Sequence, residues 1–400
     1  MSHFFLFIFI LFILAALLRL DFFFTLVYFF VGVYVLSLFW SRRVLSRLQA
    51  SRSLPERAFW GDRITVTLKL HNRSHLPIPW LLLHEVFPIV LSSPSFFRQV
   101  TTLPGRASHT ITYVLTARQR GYYQIGPLNL HSGDLLGLRG EMSRHLDPNH
   151  LIVYPKIVPI ARLPLPTHSP QVILPTSIPL FEDPARPTGV RNYVVGDNPR
   201  FIHWPATAAT GQLLVKQFQP AIARDNAIFL NLCRPDYAQA GYPDPAMELA
   251  ITTAASLANH MAIHEGLPVG LSTTAFDPLA GHVQSFSLPP RKGRGHLMQI
   301  LEVLARVQIT EAETHFLEGV RQEAVNLAWG TTIMVITGCL SEGLAQTLLL
   351  LKRSGFQVTL VLVDPVRAMR QTREEPMQDL NLPVFKIRRE QDIEVWSPVL

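Results

Sequence analysis

The chain opens with two long apolar runs. Phe4 to Leu18 is apolar without interruption, Arg19, Leu20 and Asp21 break the pattern, and Phe22 to Trp40 is apolar again. At about 1.5 Å per residue, the second run is long enough to cover a hydrocarbon core of about 30 Å. The first needs Ser2, His3 or Arg19 to reach the headgroups. The pattern predicts a transmembrane helical hairpin over residues 1–40. A cleaved signal peptide fits less well, because no Lys or Arg precedes the first run, no A-x-A site follows it, and a second apolar run comes at once.

The period then changes to two. Along Arg63–Leu70, Ile64, Val66, Leu68 and Leu70 share one face, and Arg63, Thr65, Thr67 and Lys69 the other, which predicts a half-buried strand. Asn72, Arg73 and Ser74 supply a turn, Thr110–Thr116 alternates in the same way, and Tyr122–Leu130 reads as strand broken at Gly126–Pro127. No long helical pattern intervenes, so residues 60–150 are expected to form a small antiparallel β-sandwich. Prolines crowd residues 151–188 and predict an extended linker.

Beyond residue 221 strand and helix patterns alternate. Ala227–Leu232, Pro268–Leu271, Thr332–Thr337 and Val358–Val363 read as buried strands. Helices are expected from Asp244–Pro245 to about Gly266, over Leu297–Val307 with Leu297, Ile300, Leu301 and Leu304 on one face, over Glu311–Ala328, and over Glu342–Ser354. That order predicts a parallel sheet covered on both faces, spanning residues 221–400. The fold class is therefore multidomain: a transmembrane hairpin, a β-sandwich and a C-terminal α/β domain.

Charge changes the picture in one place. The net charge is +7, and Arg42, Arg43, Arg47, Arg52 and Arg57 cluster within residues 41–59 against Glu56 alone. This reads as a basic juxtamembrane segment, which places the soluble part on the cytoplasmic side of a membrane that the hairpin crosses as a multi-pass anchor. No basic helix with interleaved aromatics occurs elsewhere, so nucleic acid is not an expected partner. Two cysteines, Cys233 and Cys339, with no C-x-x-C, exclude a disulfide framework and a zinc cluster.

The richest stretch runs Gly189-Val190-Arg191-Asn192-Tyr193-Val194-Val195-Gly196-Asp197-Asn198-Pro199-Arg200-Phe201-Ile202-His203-Trp204, then Gly211-Gln212-Leu213-Leu214-Val215-Lys216. It resembles the R-x-Y-x-x-G-D-x-x-R-x-I-x-W signature, with its following Gly and L-x-V-K, of the bacterial domain-of-unknown-function family 58. Arg191, Tyr193, Gly196, Asp197, Arg200, Ile202, Trp204, Gly211, Leu213, Val215 and Lys216 match. Asn192, His203, Pro205 and Ala209 depart from commonly charged positions. Arg120-Gly121-Tyr122, Gly126-Pro127-Leu128 and Asp134 to Leu138 resemble a second run of that family. The resemblance implies a membrane-anchored protein with a von Willebrand factor A-like α/β domain, and as partner a MoxR-type AAA+ ATPase.

Within residues 189–220, Gly196-Asp197-Asn198-Pro199 is turn chemistry, and Arg191 and Arg200 can each fork onto Asp197. The first expectation is an internal clamp in which Asp197 accepts from Arg191 or Arg200 and Trp204 is largely buried beside them. The second is a partner-docking surface. Catalysis by Asp197 and His203 comes third, since no nucleophile or pocket is legible. A metal-dependent von Willebrand factor A site is expected to be degenerate: Asn231, Cys233 and Pro235 stand where carboxylate and hydroxyl ligands would be needed. No P-loop, G-x-G-x-x-G, H-E-x-x-H or G-x-S-x-G occurs, so no cofactor and no enzymatic activity are expected. Arg291 to His296 reads as a solvated basic loop. The chain reads as a membrane-anchored interaction protein.

Overall fold

In the computed structural model the described residues are 2–18, 21–92, 94–133, 142–161, 163, 182–194, 199–220, 225–237, 245–310, 314–363, 382–396 and 398–399. They divide into two compact units. One holds residues 1–156 with Leu301–Arg306, and the other holds residues 157–300 and 307–400.

The first unit begins with α1 (Ser2–Leu18) and α2 (Asp21–Ser46), which pack against each other through edge-on ring pairs such as Phe7–Phe30 and Phe12–Phe24. Among the described residues no helix is long and apolar enough to cross a membrane. The expected transmembrane hairpin is therefore present as a helical hairpin only. The 17 residues of α1 rise to only about 26 Å at 1.5 Å each, short of a core of about 30 Å.

One residue separates α2 from β1 (Leu48–Ser53), which lies inside the stretch read as a basic juxtamembrane segment. β1 pairs antiparallel with β3 (Arg63–Asn72), and β3 with β6 (Ser108–Thr116). A second sheet runs β5 (Phe96–Leu103), β4 (Ile78–Val86), β8 (Leu128–Ser132), β9 (Met142–Leu146). A third joins β2 (Arg57–Phe59), β10 (Asn149–Tyr154) and β7 (Gly121–Ile125), and its β2–β10 pairing is parallel. The three sheets share one core, which includes Leu48, Leu68, Leu83, Leu115, Leu128 and Val153. In β3 the alternation is realised residue by residue: Ile64, Val66, Leu68 and Leu70 are buried. β10 occupies part of the stretch read as linker.

A buried ion pair holds this unit together. Arg52 on β1 lies 2.7 Å (Nε to Oε1) from Glu85 on β4, and both side chains are 0% exposed. Arg52 Nη1 donates to the Ile125 carbonyl at 2.7 Å and to Asn149 Oδ1 at 2.9 Å, while the Tyr113 hydroxyl donates to Glu85 Oε2 at 2.6 Å. Burial pushes the Glu85 carboxyl up, against the Tyr113 hydrogen bond and the Arg52 charge, which pull it down. Arg52 is thus a core residue and leaves the set of charges read as facing a membrane surface. Asn72 is buried as well: its side-chain amide donates to the Leu76 and Pro104 carbonyls at 2.9 and 3.0 Å, and its oxygen accepts from Ser74 N–H at 2.9 Å.

The second unit contains a seven-stranded sheet. Its strands are β13 (Asn226–Asn231), β14 (Val269–Asp277), β15 (His282–Arg291), β16 (Thr332–Thr337), β17 (Gln357–Val363), β18 (Val384–Ile387) and β19 (Pro398–Val399), in the spatial order 15-14-13-16-17-18-19. The five central strands are parallel, as expected, whereas β15 and β19 add antiparallel edges. α4 (Pro245–Asn259) contacts β13, β16 and β17. α6 (Thr314–Asn326) and α7 (Glu342–Arg353) share a core with Phe229, Val335 and Leu360. α5 (Arg294–Arg306) begins in this unit, where Leu297 and Ile300 are buried. Arg291 ends a strand and Arg294 begins a helix, so little of the expected basic loop is loop.

Candidate docking surface

The signature segment folds into a ribbon. β11 (Glu182–Asn192) pairs antiparallel with β12 (Leu214–Pro220), matching Val190 to Lys216, Arg191 to Val215 and Asn192 to Leu214. Tyr193 N–H extends the ladder to the Leu213 carbonyl at 2.9 Å. Between the strands lie a 3₁₀ turn, Pro199–Phe201, and the short α3 (Trp204–Thr210).

Local chemistry explains why these residue types recur. His203 caps α3, its Nδ1 accepting from Ala206 N–H at 3.1 Å, and Pro205 sits in the first turn. Gly211 ends the helix at φ 72°, where it returns its N–H to the Thr207 carbonyl, a left-handed position that favours glycine. Thr207 Oγ1 accepts from Leu214 N–H at 3.1 Å, and His203 N–H donates to the Leu214 carbonyl at 2.8 Å, so α3 is stitched to β12. Ile202 bridges to the buried Val215.

The outward side differs from the clamp expected of the sequence. Trp204 is 65% exposed, not buried, because its place at the first position of a short surface helix turns it away from Ile202 and Val215. Arg191, Arg200 and Gly211 are exposed, and Tyr193 and Lys216 are half-buried. Gly196 and Asp197 lie outside the described residues, and with them the expected Arg–Asp contact. The ribbon also exposes Val190, Val194 and Leu213, three aliphatic side chains for which sequence reasoning assigned no role. Their signal was available, since a two-stranded ribbon has no second layer to bury them.

The C-terminal ends of β13 and β16 form the second place of interest. Asn231 is buried and its Oδ1 accepts the Cys233 N–H at 3.0 Å, which leaves the amide nitrogen to donate to Asp236 Oδ2 and to Thr337 Oγ1 at 3.1 Å. Cys233 is buried and Pro235 exposed. A von Willebrand factor A-type cation would need oxygen lone pairs converging there, and these residues present a nitrogen donor instead. They do not fit the ion. Among the described residues no three His, Cys, Asp or Glu side chains come together as metal ligands.

Comparison with known proteins adds a family. Residues 189–369 match the model of the family described as "Protein of unknown function DUF58". Over that region, which is under half of its length, the chain is similar to the DUF58 family. The "Uncharacterized protein YeaD" of Bacillus subtilis (strain 168) is 23% identical over 326 residues, covering 80% of this chain and 76% of that one. Among solved structures, a native α2-macroglobulin from Escherichia coli, spanning domain MG7 to the C-terminus, shows 19% identity and a TM-score of 0.24 over 28% of this chain and 17% of its own. The CARDB domain of the PF1109 protein from Pyrococcus furiosus, in complex with di-metal ions, shows 14% identity and a TM-score of 0.21 over 26% of this chain and 91% of its own.

The matched region begins within the ribbon, at Gly189, and includes β13, β14, β16 and β17 of the parallel sheet. The glycines of the second family-like run have a physical reason too. A Cβ on Gly126, at φ 98°, would lie 2.7 Å from Arg52 Nη2, and one on Gly121 would lie 2.6 Å from the Tyr123 ring. They keep space for the buried guanidinium and a packed ring, which is a structural duty.

Proposed function

We propose that this protein is a non-catalytic docking protein held at a membrane by its helical hairpin, and that it binds a protein partner through the ribbon. The observation that carries this reading is the exposure of Trp204 on the same short segment as Arg200, with Arg191 and Val190 exposed on the strand beside it and Val194 and Leu213 exposed just beyond the strand ends. Trp and Arg are the side chains that most often dominate binding energy, and aliphatic neighbours supply the water-excluding rim. Several exposed apolar side chains close together in one segment are the mark of an interaction surface. The resemblance to the family points to a MoxR-type AAA+ ATPase as that partner.

Membrane attachment is supported by the hairpin surface. Phe9, Leu17, Phe22, Phe29 and Leu36 are exposed, a sheath that favours lipid over water. α1, a few ångströms short of the hydrocarbon core, is accommodated by local thinning of the bilayer. Arg42, Arg43 and Arg47 remain at the end of α2 to favour a cytoplasmic location for the two compact units' soluble elements. The expected arrangement is a bacterial inner-membrane protein with a cytoplasmic soluble part. Mixing the detergent-solubilised chain with a MoxR-type ATPase from the same cell should give a co-eluting complex by size exclusion. Separate elution at micromolar concentrations would count against this partner.

A further inference from the structure

In open α/β sheets, ligands settle outside the carboxyl ends of the strands where the chain reverses its direction across the sheet. Here that place lies between β13 and β16, since the chain passes from β13 to β14 on one side and later to β16 on the other. The crevice is filled by the protein's own 3₁₀ turn, Arg234–Asp236. The turn sits so close that a Cβ on Gly338 would lie 2.4 Å from the Asp236 carbonyl oxygen and 2.8 Å from the Tyr237 ring. Four interactions converge on Asn231, which is 2% exposed. Its Oδ1 takes the Cys233 N–H, its amide nitrogen donates to Asp236 Oδ2 and Thr337 Oγ1, and its carbonyl accepts the Tyr237 hydroxyl at 2.7 Å. Because the Cys233 bond fixes which end of the amide is oxygen, the group between the Asp236 carboxylate and the Thr337 hydroxyl is a nitrogen donor.

We propose that the Asn231 carboxamide stands where a divalent cation would, latching the Arg234–Asp236 turn onto the end of β16, so that this domain holds its shape without a metal. A cation would bring Asp236 and Thr337 together through their lone pairs, and the amide N–H groups satisfy the same two oxygens from one side chain. Gly338 is the complementary requirement, leaving room for the latched turn.

The test is thermal unfolding of the full chain in detergent micelles, in EDTA and then in millimolar Mg²⁺ or Mn²⁺. The wild type should melt at the same temperature in all three. Asn231→Asp sets two carboxylates against each other, and should melt several degrees lower in EDTA and recover with Mn²⁺. Asn231→Ala should melt lower and not recover. Thr337→Val removes the Asn231 acceptor, and with it the hydroxyl's own bond to the Cys339 carbonyl at 2.9 Å, without changing charge; it should melt lower whatever the cation, and an unchanged melting temperature would count against the latch even if Asn231→Asp fails to fold. A wild-type melting temperature that rises with Mg²⁺ or Mn²⁺ would overturn the proposal. So would Asn231→Asp unfolding like wild type in EDTA, no recovery of that variant with Mn²⁺, or Thr337→Val melting unchanged.

Discussion

Arg52 shows how far a single residue can depart from what its neighbours in sequence imply. It belongs to a run of arginines following an apolar segment, yet it is buried against Glu85, with Tyr113 completing the network. Its partner lies on another strand, far along the chain, and no local pattern announces that pairing. Removing one member of such a pair strands the other. Glu85→Ala should therefore cost about 3–5 kcal/mol, and Tyr113→Phe about 1.5–3 kcal/mol, in denaturant unfolding. His260 makes a second prediction. Burial lowers its pKa from the usual 6.5, the stacked His264 lowers it further, and Glu265 opposes both. A depressed imidazole favours the neutral form in the fold. Its contribution is intact above pH 6.5 and is lost as the pH falls below that value towards the folded pKa. The unfolding midpoint should drop as the pH falls below about 6.5, and His260→Gln should flatten that drop. An identical pH profile in the variant would remove His260 as the cause.

At the scale of elements, legibility followed burial only in part. At β3 and α7 a covered face shows as a period in the sequence: β3 alternates as read, and α7 begins at Glu342 with Ser341 accepting from Leu344 N–H at its N-terminus. β4 buries Ile78, Leu81 and Leu83 and yet is not legible, since Leu81, Leu82 and Leu83 follow one another and blur the alternation. β15 covers one face only halfway, at Phe286 and Leu288, and β11 carries Pro184, Pro187 and Gly189 with register shifts that disguise a strand as linker. β1 was hidden for a different reason, because its Arg52 reads as polar while being buried. The ribbon's turn chemistry was legible at Gly211 as an invitation to positive φ, but the outward aim of Trp204 was not, since an indole is more often buried. Gly211→Ala should strain the end of α3 by about 1–2 kcal/mol. Hydrogen exchange at the Leu214 amide, which bonds to Thr207 Oγ1, should quicken accordingly. Protection equal to wild type would mean that α3 is seated by something other than its C-terminal glycine.

At the scale of the whole molecule, the proposed function divides the work between an apolar hairpin for membrane attachment and an exposed ribbon for recognition. Membrane attachment predicts that the chain sediments with membranes and resists high salt, and a chain found in the soluble fraction would contradict it. A reporter that becomes active only when exported, fused after Leu400, should remain silent, and activity would reverse the proposed orientation. The central claim is that the signature segment serves docking and not internal clamping, and these make opposite demands on one side chain. The most direct measurement is therefore Trp204→Ala, followed in parallel by thermal unfolding and by affinity for the ATPase. Docking predicts a melting temperature within about 1 °C of wild type, as for surface substitutions away from structural features, and an affinity loss of at least about tenfold. A melting temperature lowered by several degrees, with affinity intact, would contradict it.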